Sequence, residues 1–194
     1  MAILNINLSK ERTLKIFQME DPLSPREEWS NLTRMICFHN SYNLGDQSPE
    51  LDYSSDNYTN WKELEEDILA REKPLVMLPL YMYDHGGITI STTPFSCNWD
   101  SGQIGFVFIR QKEIDELGCY RKDNQSFSDY KEELKKSLVS EVNIYDMYLQ
   151  GDVYNFHIQN KEGDVIDSCA GFYGTDWKNN GLSDYLDEED LDKL

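Results

Sequence analysis

Residue types able to do covalent chemistry gather in one stretch of the chain. His85, Cys97 and Asp100 stand there beside Tyr83, Asp84, Ser96, Trp99 and Ser101. A thiol attacks best as the thiolate. A neighbouring imidazole lowers its pKa and takes its proton, while a carboxylate orients the ring. Cys97, His85 and Asp100 could supply these three roles. The same residues also suit a plain polar loop, in which Asp100 and Ser101 satisfy backbone groups, Trp99 packs, and Cys97 is a small apolar filler. A binding loop is a third reading. No glycine-rich oxyanion element accompanies the cluster, which favours the plain loop. No catalytic residue is therefore assigned, and His85, Cys97 and Asp100 stand as the enzymatic alternative.

Metal-ligand residues are dispersed. Cys37-Phe38-His39 puts two together, whereas His157 and Cys169 come much later. No standard zinc spacing occurs, nor the D-x-[DN]-x-[DN]-G of a calcium loop. Phosphate-binding glycine loops and nucleotide fingerprints are absent as well. Neither a metal nor a cofactor is expected.

The elements that must position the cluster are legible from periodicity. Residues 75–83 (LVMLPLYMY) read as a central strand, with Pro79 requiring a bulge or an edge. Asp84-His85-Gly86-Gly87 makes a tight turn. A strand over residues 88–93, a loop over 94–102 and a strand over 103–110 follow. Before them, residues 3–8 and 14–19 are short strands, the first at an edge. Ser24-Pro25-Arg26-Glu27 is a helix start, and Trp29, Leu32, Met35 and Ile36 extend the helix towards His39-Asn40. Residues 40–60 form a long polar loop. Asn60 or Thr59 caps a second helix ending before Pro74, with Trp61, Leu64, Ile68 and Leu69 inside. Past the cluster come a short helix at 112–117 stopped by Gly118, a long helix capped by Ser128 and ended at Gly151, and a hairpin turning at Gly163. Hairpins outnumber crossovers. The fold class is therefore α+β, a mainly antiparallel sheet with four to five helices packed on it and an acidic C-terminal tail. A single domain over 1–194 is expected. It comprises strands and two helices in 1–73, the core sheet, long helix and hairpin in 74–174, and the tail in 175–194.

A formal net charge of −18 far exceeds what keeps a small domain soluble, about 2–8 in magnitude. Direct binding to nucleic acid or to an anionic membrane is disfavoured, because both require Lys and Arg to neutralise phosphates. A basic partner, a cation or a high-salt habitat fits. No run of residues approaches a membrane helix, and no basic-then-apolar leader opens the sequence MAILNINLSKERTL. With four scattered cysteines and no CxxC, reduced thiols and a cytoplasmic location are expected.

The block YMYDHGGITISTTPFSCNWDSGQIGFVFI resembles a family of uncharacterised bacteriophage and prophage accessory proteins, whose signature runs roughly LYLYDHSG-TIST-PFSC-WDSGQ-G. A second matching block is VSEVNIYDMYLQGDVYNFHI, followed by DSCAGFYG. Residues 74–174 carry the resemblance. This chain has Gly86 where the signature has Ser, and Asn98 where it has Pro. The resemblance brings no established chemistry. It implies a phage or mobile-element setting, a host-cell cytoplasmic location, and likeness to acidic anti-restriction and anti-CRISPR inhibitors that occupy a nucleic-acid groove. The expected partner is then a basic nucleic-acid-binding protein of a host defence system. Carboxylates in residues 46–72 and in the tail would imitate phosphate charge: Asp52, Asp56, Glu63, Glu65, Glu66 and Asp67, with Asp184, Asp187, Glu188, Glu189 and Asp190. The opposing reading is a solvated acidic face with a disordered tail.

Overall fold

Alternating apolar residues at the start of the chain form strands as their period demands. The computed structural model describes residues 1–47, 50–97 and 99–194, so Asn98 lies outside the described residues. Strand β1 is Leu4–Asn7 and β2 is Thr13–Gln18, with Leu14 and Ile16 fully buried and their neighbours half-buried. The late hairpin gives β7, Val153–Gln159, and β8, Val165–Tyr173. These four strands make an antiparallel sheet in the order β1-β2-β7-β8, with β1 at an edge as expected. Leu8, Leu14, Ile16, Phe156, Ile158 and Phe172 form its core, closed by Leu182 from the tail and by partly buried Trp177 and Leu186.

The tail itself is structured. Short 3-10 turns at Leu182–Tyr185 and Glu188–Lys193 carry it, and Asp190 is completely buried. Residues 1–23 and 147–194 make up this compact unit, and residues 24–146 make up a second one.

The second unit holds the other sheet, likewise antiparallel and in the order β3-β6-β4-β5, where β3 is Arg34–Cys37. Strand β4 is Val76–Asp84, β5 is Ile88–Ser91 and β6 is Ser101–Ile109. From Ile104 onward every residue of β6 is buried. Phe106 and Phe108 pack with Ile36, Leu51, Leu64 and Ile68. The last two come from helix α2, Trp61–Glu72, whose cap Asn60 accepts a hydrogen bond from the Glu63 amide. Leu69 is 48% exposed, so the inner face of α2 is narrower than its sequence pattern suggests. Pro79 is accommodated because β5 pairs only with Tyr81–Asp84, which leaves Pro79 beside β6 alone, next to a register shift at Leu80/Tyr81. The core strands of residues 74–174 thus do not form one sheet: β7 takes the N-terminal β2 as its partner instead.

One predicted element is overturned. The helix opening at Ser24 lasts a single turn, α1 Pro25–Glu28, and residues 34–37 form strand β3, Arg34–Cys37. Ser24 does cap, accepting from the Arg26 amide. Beyond Trp29, however, the backbone donors have other partners. Leu32 and Thr33 donate to the Glu141 carboxylate, and the Asn31 side chain ties back to the carbonyls of Pro25 and Trp29. An amide bound elsewhere cannot continue the i→i−4 ladder. Met35 and Ile36 are instead buried against β6, and tertiary pairing overrides the apparent helical period. Gly105 permits the approach: a Cβ there would lie 1.8 Å from the Ile36 carbonyl oxygen.

Helix α3, Gln111–Leu117, ends at Gly118 as expected. The long helix α4, Phe127–Leu149, buries Leu134, Leu138, Val142 and Tyr145. Its cap is Ser126, which accepts from the Asp129 amide, two residues ahead of the expected Ser128. Among the described residues no helix is long and apolar enough to cross a membrane.

Candidate functional site

The β4–β5 turn and the loop before β6 lie side by side. Asp84 donates its amide to the Asp100 carbonyl at 2.9 Å, and Tyr83 pairs with Ser101 in the ladder. The turn residue Gly86 has φ +75°, a conformation that glycine adopts without strain. This packing brings His85, Cys97 and Asp100 together. His85 Nδ1 is 3.2 Å from Asp100 Oδ2, and Cys97 Sγ is 4.0 Å from the same oxygen. Both side chains turn to the carboxylate, and among the described residues no hydrogen bond joins Cys97 to His85. A general base must reach the proton it removes, so this arrangement orders the loop more readily than it activates the thiol.

The loop is also closed from within. Ser101 Oγ donates to the Cys97 carbonyl, the backbone-satisfying role foreseen for Ser101. Trp99 does not pack: it is 96% exposed. The aromatic contacts here run instead through Tyr83, whose ring lies 5.9 Å from His85 and 5.8 Å from Phe95. A cleft of about 330 Å³ borders the loop, lined by His39, Asp84, Trp99, Asp100 and Gln103 among others. Asp84 accepts from the Tyr42 hydroxyl at 3.0 Å, and this bond with its charge holds the phenol above its ordinary pKa.

Among the described residues no group of three or more His, Cys, Asp and Glu side chains could hold a metal ion. All four cysteines are free. Desolvation, helped by the nearby Asp46 charge, pushes the Cys37 thiol up to about 12, so Cys37 is a neutral packing group at any ordinary pH. His39 is engaged locally, its Nδ1 accepting from the Ser41 amide.

The acidic residues expected to meet a partner fall into different situations. Asp52, Asp56 and Glu65 are exposed, and their side chains have no partner among the described residues. Glu63 is exposed but accepts from the Thr59 amide and hydroxyl at 2.8 and 2.7 Å, bonds that hold its pKa down. Glu66 lies 3.8 Å from Lys62. Asp67 accepts from the Tyr58 hydroxyl at 2.6 Å and pairs with Arg71 at 3.2 Å. Burial and that contact raise Tyr58 to about 12.

In the tail, Asp184 and Glu188 are exposed, with side chains unpartnered among the described residues. Asp187 binds Lys10 and Arg12 at 3.0 and 2.7 Å, and Glu189 binds Ser9 and Lys10. Asp190 accepts from the Ser9 amide and hydroxyl and pairs with Arg12 and Lys193. Its carboxylate is buried among these groups and contributes nothing to the exposed acidic surface.

Two internal ionic networks escaped the sequence reading. Arg26, with its side chain 2% exposed, grips Asp46 at 2.6 Å and reaches the Thr33 carbonyl and Glu141. Asp46 also accepts from the Met35 amide, so it is a buried structural group and contributes nothing to an acidic surface. In the second network, burial of Glu113 is outweighed by Arg110 and Arg34, which hold its carboxyl below the usual range. Arg110 also pairs with Glu72 at 2.8 Å. Apart from Arg110 and Glu113, which are three residues apart on one helix turn, these ionic partners lie 20 or more residues apart in sequence, and no local spacing could have shown them.

No family model, curated protein or solved structure matches the chain, so the phage-family resemblance rests on its quoted motifs alone.

Proposed function

We propose that the chain is a binding protein that engages a basic, nucleic-acid-binding partner through exposed carboxylates, chiefly Asp52, Asp56, Glu63, Glu65 and Glu66. The observation that carries this reading is the placing of charge. Arg12, Arg26, Arg34 and Arg110 are each tied to buried or half-buried acids, while Asp52, Asp56 and Glu65 face solvent without a side-chain partner among the described residues. These four arginines are thus turned to internal carboxylates and do not shield the exposed ones, so the outward field of a chain with net charge −18 stays negative. Such a field speeds encounter with a basic groove and repels nucleic acid. With the family resemblance, it supports an inhibitor, encoded by a phage or mobile element, of a host defence effector of the CRISPR–Cas or restriction type. Thiol-dependent chemistry at Cys97, His85 and Asp100 is the alternative; in its favour stands their convergence within 4.0 Å on one carboxylate oxygen.

The test is capture from a nuclease-treated bacterial lysate that carries defence systems, at low and then high ionic strength. The expected result is a DNA- or RNA-guided effector, or a restriction enzyme, held at low salt and released at high salt. A Glu63→Gln, Glu65→Gln, Glu66→Gln variant should hold it less well. Failure to recover any such partner at low ionic strength would sink the reading.

A further inference from the structure

The end of β3, the loop over residues 38–43, Ser55, residues 58–60 and the start of α2 line an open cleft of about 460 Å³. That lies in the range of small-molecule sites, roughly 300–1,000 Å³. Its chemistry contrasts with the rest of the chain. Charged residues make up 28% of the sequence, yet among the described residues no Asp, Glu, Lys or Arg lines this cleft. Aromatic rings line it instead. Phe38 lies nearly parallel to Tyr58 and to Trp61, at 6.2 and 6.3 Å with interplanar angles of 20° and 19°. At those separations the three rings form an offset series, not a closed stack. His39 and Tyr42 form a second parallel pair at 5.0 Å.

The rings are held in place from behind. The Tyr58 hydroxyl is bound to Asp67 and the Tyr42 hydroxyl to Asp84, so the two phenols are anchored by carboxylates outside the cleft lining. The polar groups left on the lining are neutral. The side-chain amides of Asn40 and Asn43 and the Ser55 hydroxyl have no hydrogen-bond partner among the described residues.

We propose that this cleft binds a neutral saccharide. A pyranose presents apolar C–H faces and an equatorial rim of hydroxyls. The faces suit aromatic rings, and each hydroxyl both donates and accepts, as an amide does. An anionic ligand is opposed by the chain's overall charge, and a cation finds no carboxylate on the lining. A neighbouring hollow of about 450 Å³ shares Cys37, Phe38, Asn43 and Ser55 with the first and adds the carboxylate of Asp52, which has no side-chain partner among the described residues. A carboxylate accepts well from sugar hydroxyls, so a second ring has both room and a partner, and a disaccharide binds better than its monosaccharide. This site shares Asp52 with the acidic partner surface, but its main cleft has none of the other partner-surface carboxylates on its lining, and the proposal does not rest on that reading.

The experiment is saturation-transfer difference NMR on the intact protein. The probes are maltose, cellobiose, lactose and N,N′-diacetylchitobiose, with adenosine and a proline-rich peptide as competing ligand classes. At least one disaccharide should bind. Asn43→Ala, on an exposed loop where it supports nothing else, should weaken that binding several-fold, and Trp61→Ala should weaken it about tenfold. Trp99→Ala, at the other cleft, should leave it unchanged. Binding of adenosine or the peptide with no saccharide bound would overturn the proposal. So would an absence of binding across the sugar panel, or sugar binding indifferent to Asn43→Ala.

Discussion

Replacing Asp190 with asparagine removes a buried negative charge while keeping the side chain's shape. The carboxylate accepts from the Ser9 amide at 2.7 Å and the Ser9 hydroxyl at 2.9 Å, and it pairs with Arg12 at 2.8 Å and Lys193 at 2.7 Å. None of its surface is exposed. An asparagine keeps one acceptor and turns an NH2 towards groups that are themselves donors. Part of the loss is recovered, because Arg12 retains Asp187 at 2.7 Å and Lys193 is 36% exposed to water. Breaking a buried pair by removing one partner costs about 3–5 kcal/mol, and the recovered contacts put this site near 3 kcal/mol. The effect must depend on pH. Burial alone would raise the Asp190 pKa, but Lys193 and Ser9 outweigh it and hold the group at about 2, below an ordinary 3.8. A depressed folded-state pKa gives stabilisation that is complete above about pH 4 and is lost as pH falls through about 2. Amide exchange at Ser9 reads the local opening directly, since Asp190 covers that N–H. At about 1.4 kcal/mol per factor of ten, protection of Ser9 should fall about 100-fold near neutral pH, and the gap between the two proteins should narrow towards pH 2. A fall of less than about tenfold, or a gap undiminished in acid, would refute the reasoning.

The second unit is expected to be as sensitive at its own ionic centre. Asp46→Asn should lower its stability by about 3–5 kcal/mol, read as a shift in urea midpoint without a change in slope; an unchanged midpoint counts against the buried Arg26–Asp46 pair. Gly105→Ala should prevent β3 from docking, because the added methyl would lie 1.8 Å from the Ile36 carbonyl oxygen, and cooperative unfolding should disappear. Gly86→Ala meets open space but sits at φ +75°, so it should cost only about 1 kcal/mol. Iodoacetamide at mildly alkaline pH should alkylate Cys97 well ahead of Cys37, whose thiol titrates near 12, and peptide mass spectrometry distinguishes the two. Equal rates would contradict the environment described for Cys37.

Local signals in the sequence carried most of the elements. Strand alternation at Leu14 and Ile16, the Asn60 cap, the His85-Gly86-Gly87 turn and the Gly118 stop are all physical constraints within a few residues of one another, and each appears where the pattern places it. The failures share one cause. Residues 29–37 carry apolar residues at helical spacing, yet their amides are claimed by Glu141, more than a hundred residues away, and their backbone by β6. The pairing of β2 with β7, which divides the strands between two sheets, is equally non-local. In the loop over 83–102, proximity of His85, Cys97 and Asp100 was legible because a hairpin dictates it. Which of them would bond to which depends on side-chain directions that spacing does not encode. The acidic residues show the same limit: Asp190 and Glu188 look alike in sequence, yet one is buried under Arg12 and the other is exposed.

The most direct test of the acidic-surface account is displacement. Labelled duplex or guide RNA is bound to the captured effector, and the protein is titrated in at rising ionic strength. The account predicts that the protein competes nucleic acid off the effector at low salt, and that salt or the Glu63→Gln, Glu65→Gln, Glu66→Gln variant weakens the competition steeply. Binding that leaves the nucleic acid in place, or that neither salt nor the charge variant weakens, would contradict it.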